Sequence, residues 1–291
     1  MASKKINDFT PSEIGNLKYF EIFSNLIIKN IVNGLHQSPF SGHSIEFKDY
    51  RKYQYGDDFK KIDWKLYART DKLFIKKFEK KVNVDIHIFL DNSNSMYFGE
   101  KVSKLIYGKY LTAILTGIAL KQNNNVFLYS FNDSIYKFSK KLSNFSSINI
   151  AYNRLKQIKA SERTNFSNLR QKIKKINNSI IFIISDFWGD LDNIIDIGKY
   201  GRVDKNELNY FHILSNKEQK FNFNGSYEFI DSEKKSREIF SVKQIKKYYL
   251  DRLKERINTL KKEINSQNNN YLLLNNRDNL YSILYKYFMN R

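Results

Sequence analysis

Two aspartates close apolar runs in this chain, Asp91 at the end of IHIFLD and Asp186 at the end of IIFIISD. Runs of this kind read as strands buried on both faces of a parallel sheet. In doubly wound sheets ligands collect beyond the carboxyl ends of the strands, where the strand order reverses. Two carboxylates gathered there repel each other unless a cation lies between them. After Asp91 the chain continues NSNSM, so Asp91, Ser93 and Ser95 alternate. In an extended loop alternating side chains share one side. Hard oxygen donors suit a divalent cation, magnesium first, with manganese or calcium also admissible. The competing reading is ordinary turn and capping chemistry at a strand end. The second strand-end aspartate tips the balance to a metal.

Strands and helices must alternate to position these residues, and from residue 82 they do. Strands are expected at 84–91, 126–131, 135–138, 180–186, 208–215 and 271–274. Helices are expected at 101–121, 150–158 and 168–176, near Ile194, along the face Ile245, Tyr249, Leu253, Ile257, Leu260 and Ile264, and at 278–289. This order implies an α/β fold, a doubly wound and mostly parallel sheet with helices on both faces. Ahead of it, Ile14, Leu17, Phe20, Ile22, Leu26, Ile27 and Val32 mark a helix that Thr10 and Pro11 would open. We therefore expect an N-terminal part, 1–81, and an α/β domain, 82–291.

With 41% apolar and 15% aromatic residues the chain holds enough material for a core, which excludes a disordered protein. It has no cysteine, hence no disulfide and no thiolate metal site. No signal-peptide pattern or membrane-length apolar run is visible, so a cytoplasmic location is expected. Lys and Arg exceed Asp and Glu by 20. The accompanying wealth of Lys, Asn, Ile, Tyr and Phe fits an AT-rich coding sequence, so the charge is weak evidence for any ligand.

The D-x-S-x-S motif at the end of the first strand resembles the metal-ion-dependent adhesion site of von Willebrand factor A domains. That resemblance implies a threonine and a second aspartate as further ligands, matched here by Thr164 and Asp186. Two positions depart from it: Arg163 and Phe187 stand where glycine is common in the family. The segment in front reads G-x-S-I-E-F-x-D-Y-R-x-Y-x-x-G-D-D-x-x-x-I-D-W-x-x-x-A-R-T from Gly42 to Thr70. It resembles the signature of a bacterial von Willebrand A-like family, domain of unknown function 58. The resemblance implies an adaptor or scaffold working with a MoxR-type AAA+ ATPase.

Within the signature, Glu46, Arg51, Asp57, Asp58, Asp63 and Arg69 could form a partner surface. They could equally be struts around an aromatic core of Tyr50, Tyr53, Tyr55 and Trp64, the commoner arrangement. His87 and His212 fall inside expected strands, and His36 and His43 lack a partner at metal-ligand spacing.

Three functions compete. An interaction module would leave one metal position open to a partner's acidic side chain. A magnesium-dependent hydrolase of the haloacid-dehalogenase type needs a second acid where Ser93 stands, and serine cannot transfer a proton there near neutral pH. No catalytic constellation is visible, so no enzymatic activity is expected. A nucleic-acid-binding module would use the basic stretch 60–81, but no nucleic-acid-binding motif accompanies it.

Overall fold

The computed structural model describes residues 19–35, 40, 49–59, 62–77, 83–99, 102–221, 226–230 and 237–290. The expected cap at Thr10 and Pro11, with Ile14, Leu17, His36, His43 and Glu46, lies outside them. The chain forms two compact units. One lies within 41–83; the other takes in the N-terminal helix, Phe40 and everything from Val84 onward.

The larger unit is built on six strands: β3 (Asp85–Asp91), β4 (Asn125–Phe131), β5 (Ile135–Lys137), β6 (Ser179–Ser185), β7 (Glu207–Leu214) and β10 (Asn270–Asn275). Their order is β10-β7-β6-β3-β4-β5, parallel throughout except for β5, which runs antiparallel to β4. The register places Ile88 between Leu128 and Phe182. From β3 the chain moves outward to β4 and β5, then returns to lay β6 on the opposite side of β3. The order therefore reverses between β3 and β6, and Asp91 ends one flank of that crevice.

Alternation along the strands feeds two cores. Ile86, Ile88, Leu90, Ile180, Phe182, Ile184, Phe211 and Ile213 face one side. There they meet α1 (Phe20–Gly34), α3 (Lys104–Lys121), α4 (Ile148–Gln157) and α9 (Leu280–Met289). Phe89, Phe131, Ile181, Ile183, Leu208 and Tyr210 face the other. Their partners come from α5 (Phe166–Ile173), α6 (Leu191–Val203) and α8 (Val242–Ser266). Helix α3 is buried on nearly all sides because α1 covers its outer face. The rings of Phe20 and Phe23 pack edge-on against Tyr110 at 4.8 and 5.5 Å. Gly117 permits this approach, since a Cβ there would lie 2.2 Å from Ile28 Cδ1. The expected elements are present within a few residues of their expected ends. The turn of helix near Ile194 proves to be 13 residues long. A short helix α7 (Asn216–Lys220) and a hairpin of β8 (Ser226–Ile230) with β9 (Arg237–Ser241) were not expected. Among the described residues no helix is long and apolar enough to cross a membrane.

The smaller unit pairs β1 (Asp49–Lys52) antiparallel with β2 (Phe74–Lys77) around the helix α2 (Trp64–Thr70). Two residues of the expected aromatic core, Tyr55 and Trp64, do not enter an interior, and Tyr53 is half-buried. Tyr55 is fully exposed and Trp64 more than half exposed, while Ile62 and Ile75 are buried. A unit of this size cannot enclose several large rings, so short aliphatic side chains take the interior. The side chain of Tyr50 is not among those described.

His87, on β3, lies nearly buried with its ring stacked on Phe127 at 4.7 Å. Burial lowers its pKa from 6.5 to about 4, and nearby Asp85 only partly opposes this. Stability from the neutral ring is therefore complete above 6.5 and is lost as pH falls toward about 4. The loss should be of the order of 3 kcal/mol at most. Denaturation midpoints measured across this range should decline less steeply in His87→Phe; parallel curves would show that His87 is not responsible.

Candidate metal centre

Strand β3 delivers Asp91 to the crevice in a fully buried position. The chain turns at once: the Ser93 N–H donates to Asp91 Oδ1 at 2.8 Å, closing an Asx turn. A 3-10 turn, Asn94–Tyr97, follows. Ser93 occupies its capping position, yet the hydroxyl makes no capping bond and lies 3.1 Å from the hydroxyl of Ser95. The turn-and-cap alternative thus accounts for the backbone of this loop but leaves the two hydroxyls for other work.

Asparagines carry Thr164 to the same place. Asn92 donates its side-chain N–H to Lys159 O at 3.1 Å and accepts the Ser161 N–H on its carbonyl at 2.9 Å. The Asn94 N–H donates to Glu162 O at 3.0 Å. Asn132 holds Ser161 and accepts the Asn165 N–H at 2.9 Å. So tethered, the Thr164 hydroxyl stands 3.2 Å from Asp91 Oδ2 and 3.4 Å from Oδ1. The neighbouring departure, Arg163, is exposed and does not disturb this arrangement.

The opposite flank of the crevice is the end of β6. Ser185 donates its hydroxyl to Asp91 Oδ2 at 2.6 Å and accepts the Phe187 N–H at 2.9 Å. Asp186 follows, with Oδ1 accepting the Trp188 N–H at 3.3 Å. Its Oδ2 receives the ammonium of Lys104 at 2.7 Å, and that ammonium also meets Glu218 Oε1 at 2.6 Å. Phe187 adopts a left-handed backbone with φ 48°, which explains why glycine suits this position. The conformation is held by burial of the ring and by Arg256 of α8, which donates to Phe187 O at 2.7 Å and to Gly189 O at 2.6 Å.

Burial raises the pKa of Asp91, and the adjacent charge of Asp186 raises it further, against the hydrogen bonds from Ser185 and Ser93. Lys104 is pulled down by burial, but Asp186 and Glu218 outweigh this and leave its pKa raised. The ammonium is therefore a fixed charge.

Asp91, Ser93, Ser95 and Thr164 thus converge, as a set of hard oxygens around one carboxylate. The set fits a divalent cation of the magnesium type, which tolerates few protein ligands and completes its shell with water. Among the described residues no group of three or more His, Cys, Asp or Glu side chains is placed to hold a metal. Any ion here would lean on hydroxyls. Asp186 lies beside this set and interacts with Asp91 through its charge, but its own hydrogen-bonding partners are Lys104 and Trp188.

The sequence reasoning missed Ser185, Lys104, Glu218 and Arg256. Lys104 did leave a signal, as a lysine opening a largely apolar helix. Glu218 stands three residues after Ser215, the spacing of a capping box, which the structure contains.

Two signature residues of the smaller unit, Asp63 and Asp57, have local tasks. Asp63 caps α2, accepting the N–H groups of Lys65 and Leu66 at 3.1 and 3.2 Å. Asp57 closes a turn over Gly56, accepting the Gln54 N–H at 2.9 Å. Asp58 and Arg69 are exposed. Arg51 pairs with Ile75 through β1 and β2, its side chain lying outside the described set.

A family model described as "Protein of unknown function DUF58" matches residues 49–259. None of the curated proteins compared with the chain matches it. Similar solved structures include BatB from Bacteroides thetaiotaomicron, 13% identical, TM-score 0.48, covering 72% of this chain and 98% of that one. An aerotolerance-related membrane protein from Bacteroides fragilis is 15% identical, TM-score 0.48, covering 72% and 100%. The VWA domain of SpRpn10 is 14% identical, TM-score 0.40, covering 70% and 94%.

Ser185→Ala should destabilise the protein by about 1–3 kcal/mol, since it strips a donor from buried Asp91 and leaves the Phe187 N–H without its acceptor. Equilibrium denaturation would measure this. A change below about 0.5 kcal/mol would show that the hydroxyl is dispensable to the crevice.

Proposed function

The chain belongs to the family of proteins of unknown function DUF58, and from that premise we propose that it is a protein-interaction module whose contact depends on a divalent cation. One observation carries the reading: the buried carboxylate of Asp91 meets the hydroxyls of Ser93, Ser95 and Thr164 where the strand order reverses. Magnesium, or manganese or calcium in its stead, would supply there an open coordination position that a partner's Asp or Glu completes.

The chain's own residues do the rest. Asp91 provides the charge, and the three hydroxyls provide neutral oxygens without adding repulsion. The tethers through Asn92, Asn94 and Asn132 keep Thr164 in place before any partner arrives, so little ordering cost falls on binding. A net charge of +20 should speed the approach of an acidic partner at low salt. A MoxR-type AAA+ ATPase, as the resemblance of the signature implies, is the partner we propose, with this chain as adaptor or scaffold. Its working place would be the cytoplasm.

A hydrolase is disfavoured because Ser93, which would have to be the proton-transferring acid, bonds to Ser95 in a neutral hydroxyl pair. Phosphoester substrates offered with magnesium should turn over only at background rate. Turnover that vanishes in Asp91→Asn would reverse the assignment.

Asp91→Ala should abolish magnesium or manganese binding while the fold survives, because removing one of two neighbouring buried carboxylates relieves repulsion. Calorimetry and circular dichroism test this together, and unchanged affinity would remove Asp91 from the site. The complex with the ATPase should form in magnesium, fail in chelator and fail in Asp91→Ala. Equal recovery in chelator would exclude the metal face as the contact surface.

A further inference from the structure

Lys104 opens α3 and is wholly buried. Both features run against local physics. A cation in the first turn of a helix opposes the helix dipole, and lysine is almost never fully buried unless paired. Two carboxylates provide the compensation, Asp186 at 2.7 Å and Glu218 at 2.6 Å. Glu218 is itself fixed, its other oxygen accepting the Ser215 N–H at 2.7 Å. Asp186 is fixed likewise, with its other oxygen on the Trp188 N–H. The partners of Asp91, by contrast, are neutral donors: the Ser93 N–H and the hydroxyls of Ser185 and Thr164. One aspartate of the crevice has its charge matched from within the protein, and the other does not.

We infer that Lys104 sets the charge of the metal centre by holding Asp186 out of the coordination sphere, so that Asp91 is the single carboxylate ligand. The inference rests on the metal reading above and deepens it. One carboxylate leaves a divalent cation with a net positive charge, which attracts an incoming acidic side chain; two would cancel it. The number of charged ligands also sets affinity for hard cations, so the centre should bind its ion weakly and exchange it readily. Lys104 is a positioning residue for a site that favours an anionic partner over a tightly held ion.

Manganese binding tests this, followed by calorimetry and by the electron paramagnetic resonance signal of the free ion. Lys104→Met frees Asp186 and should bind manganese at least about tenfold more tightly than the wild type, because a second carboxylate becomes available. Asp186→Asn, which leaves the Lys104–Glu218 pair intact, should stay within about threefold of the wild type. The double variant should lose the gain of Lys104→Met, because the coupling runs through Asp186. Unchanged or weaker binding in Lys104→Met overturns the inference, as does a loss of about tenfold or more in Asp186→Asn. If Lys104→Met does not fold, Asp186→Asn decides alone on the same criterion. If the wild type takes up no manganese while Lys104→Met does, the inference stands and the metal dependence of the wild type falls. If neither binds, both fall.

Discussion

Two buried carboxylates, Asp91 and Asp186, stand at the carboxyl ends of neighbouring strands, and their charge must be met where water cannot reach it. Desolvation costs roughly several kcal/mol per ion even after relaxation. The surrounding architecture can be understood as the answer to that cost. Ser185 and the Ser93 N–H serve Asp91; Lys104 serves Asp186 and recruits Glu218. In this way the ends of β3 and β6, the first turn of α3 and the start of α7 are bound into one polar cluster between two apolar cores. The strands themselves carry few buried charges beyond this cluster, their interior polar side chains being mainly neutral ones such as His87, Asn209 and His212.

The same cluster explains the loops. A buried aspartate can be approached by a threonine from a distant segment only if that segment is held at its backbone, and asparagine can both donate and accept in such a place. Asn92 and Asn132 donate side-chain N–H groups and accept on their main-chain carbonyls, and Asn94 adds its main-chain N–H. On the other flank, Phe187 takes a backbone conformation that costs a bulky residue about 1 kcal/mol or more. Its ring, buried among Phe166, Tyr210 and His212, and the clamp from Arg256 offset that cost. Position of the chemistry and stability of the fold are therefore hard to separate here.

Much of this was legible in the order of residues. Continuous apolar runs ending in aspartate, helices between them and D-x-S-x-S after the first run all depend on short-range periodicity, which sequence displays directly. They determined the α/β class and the strand positions, and they singled out Asp91, Ser93 and Ser95 as the candidate site. Thr164 came from family resemblance rather than from spacing, since a loop residue 73 positions from Asp91 shows no local mark of its destination.

What the tertiary structure decided is which charges meet. Lys104 lies 82 residues from Asp186 and 114 from Glu218, and no pattern within one element specifies such a pairing. In the sequence both strand-end aspartates look placed to share one cation; in the fold one is matched by an internal cation and the other by neutral donors. The smaller unit teaches the same lesson by the opposite route. Its aromatic residues read as a core because they are large and apolar, yet Tyr55 and Trp64 are exposed, as burial depends on how much chain is available to cover a ring. Periodicity is a local property and survives in the sequence, whereas electrostatic compensation and coverage are properties of the assembled chain.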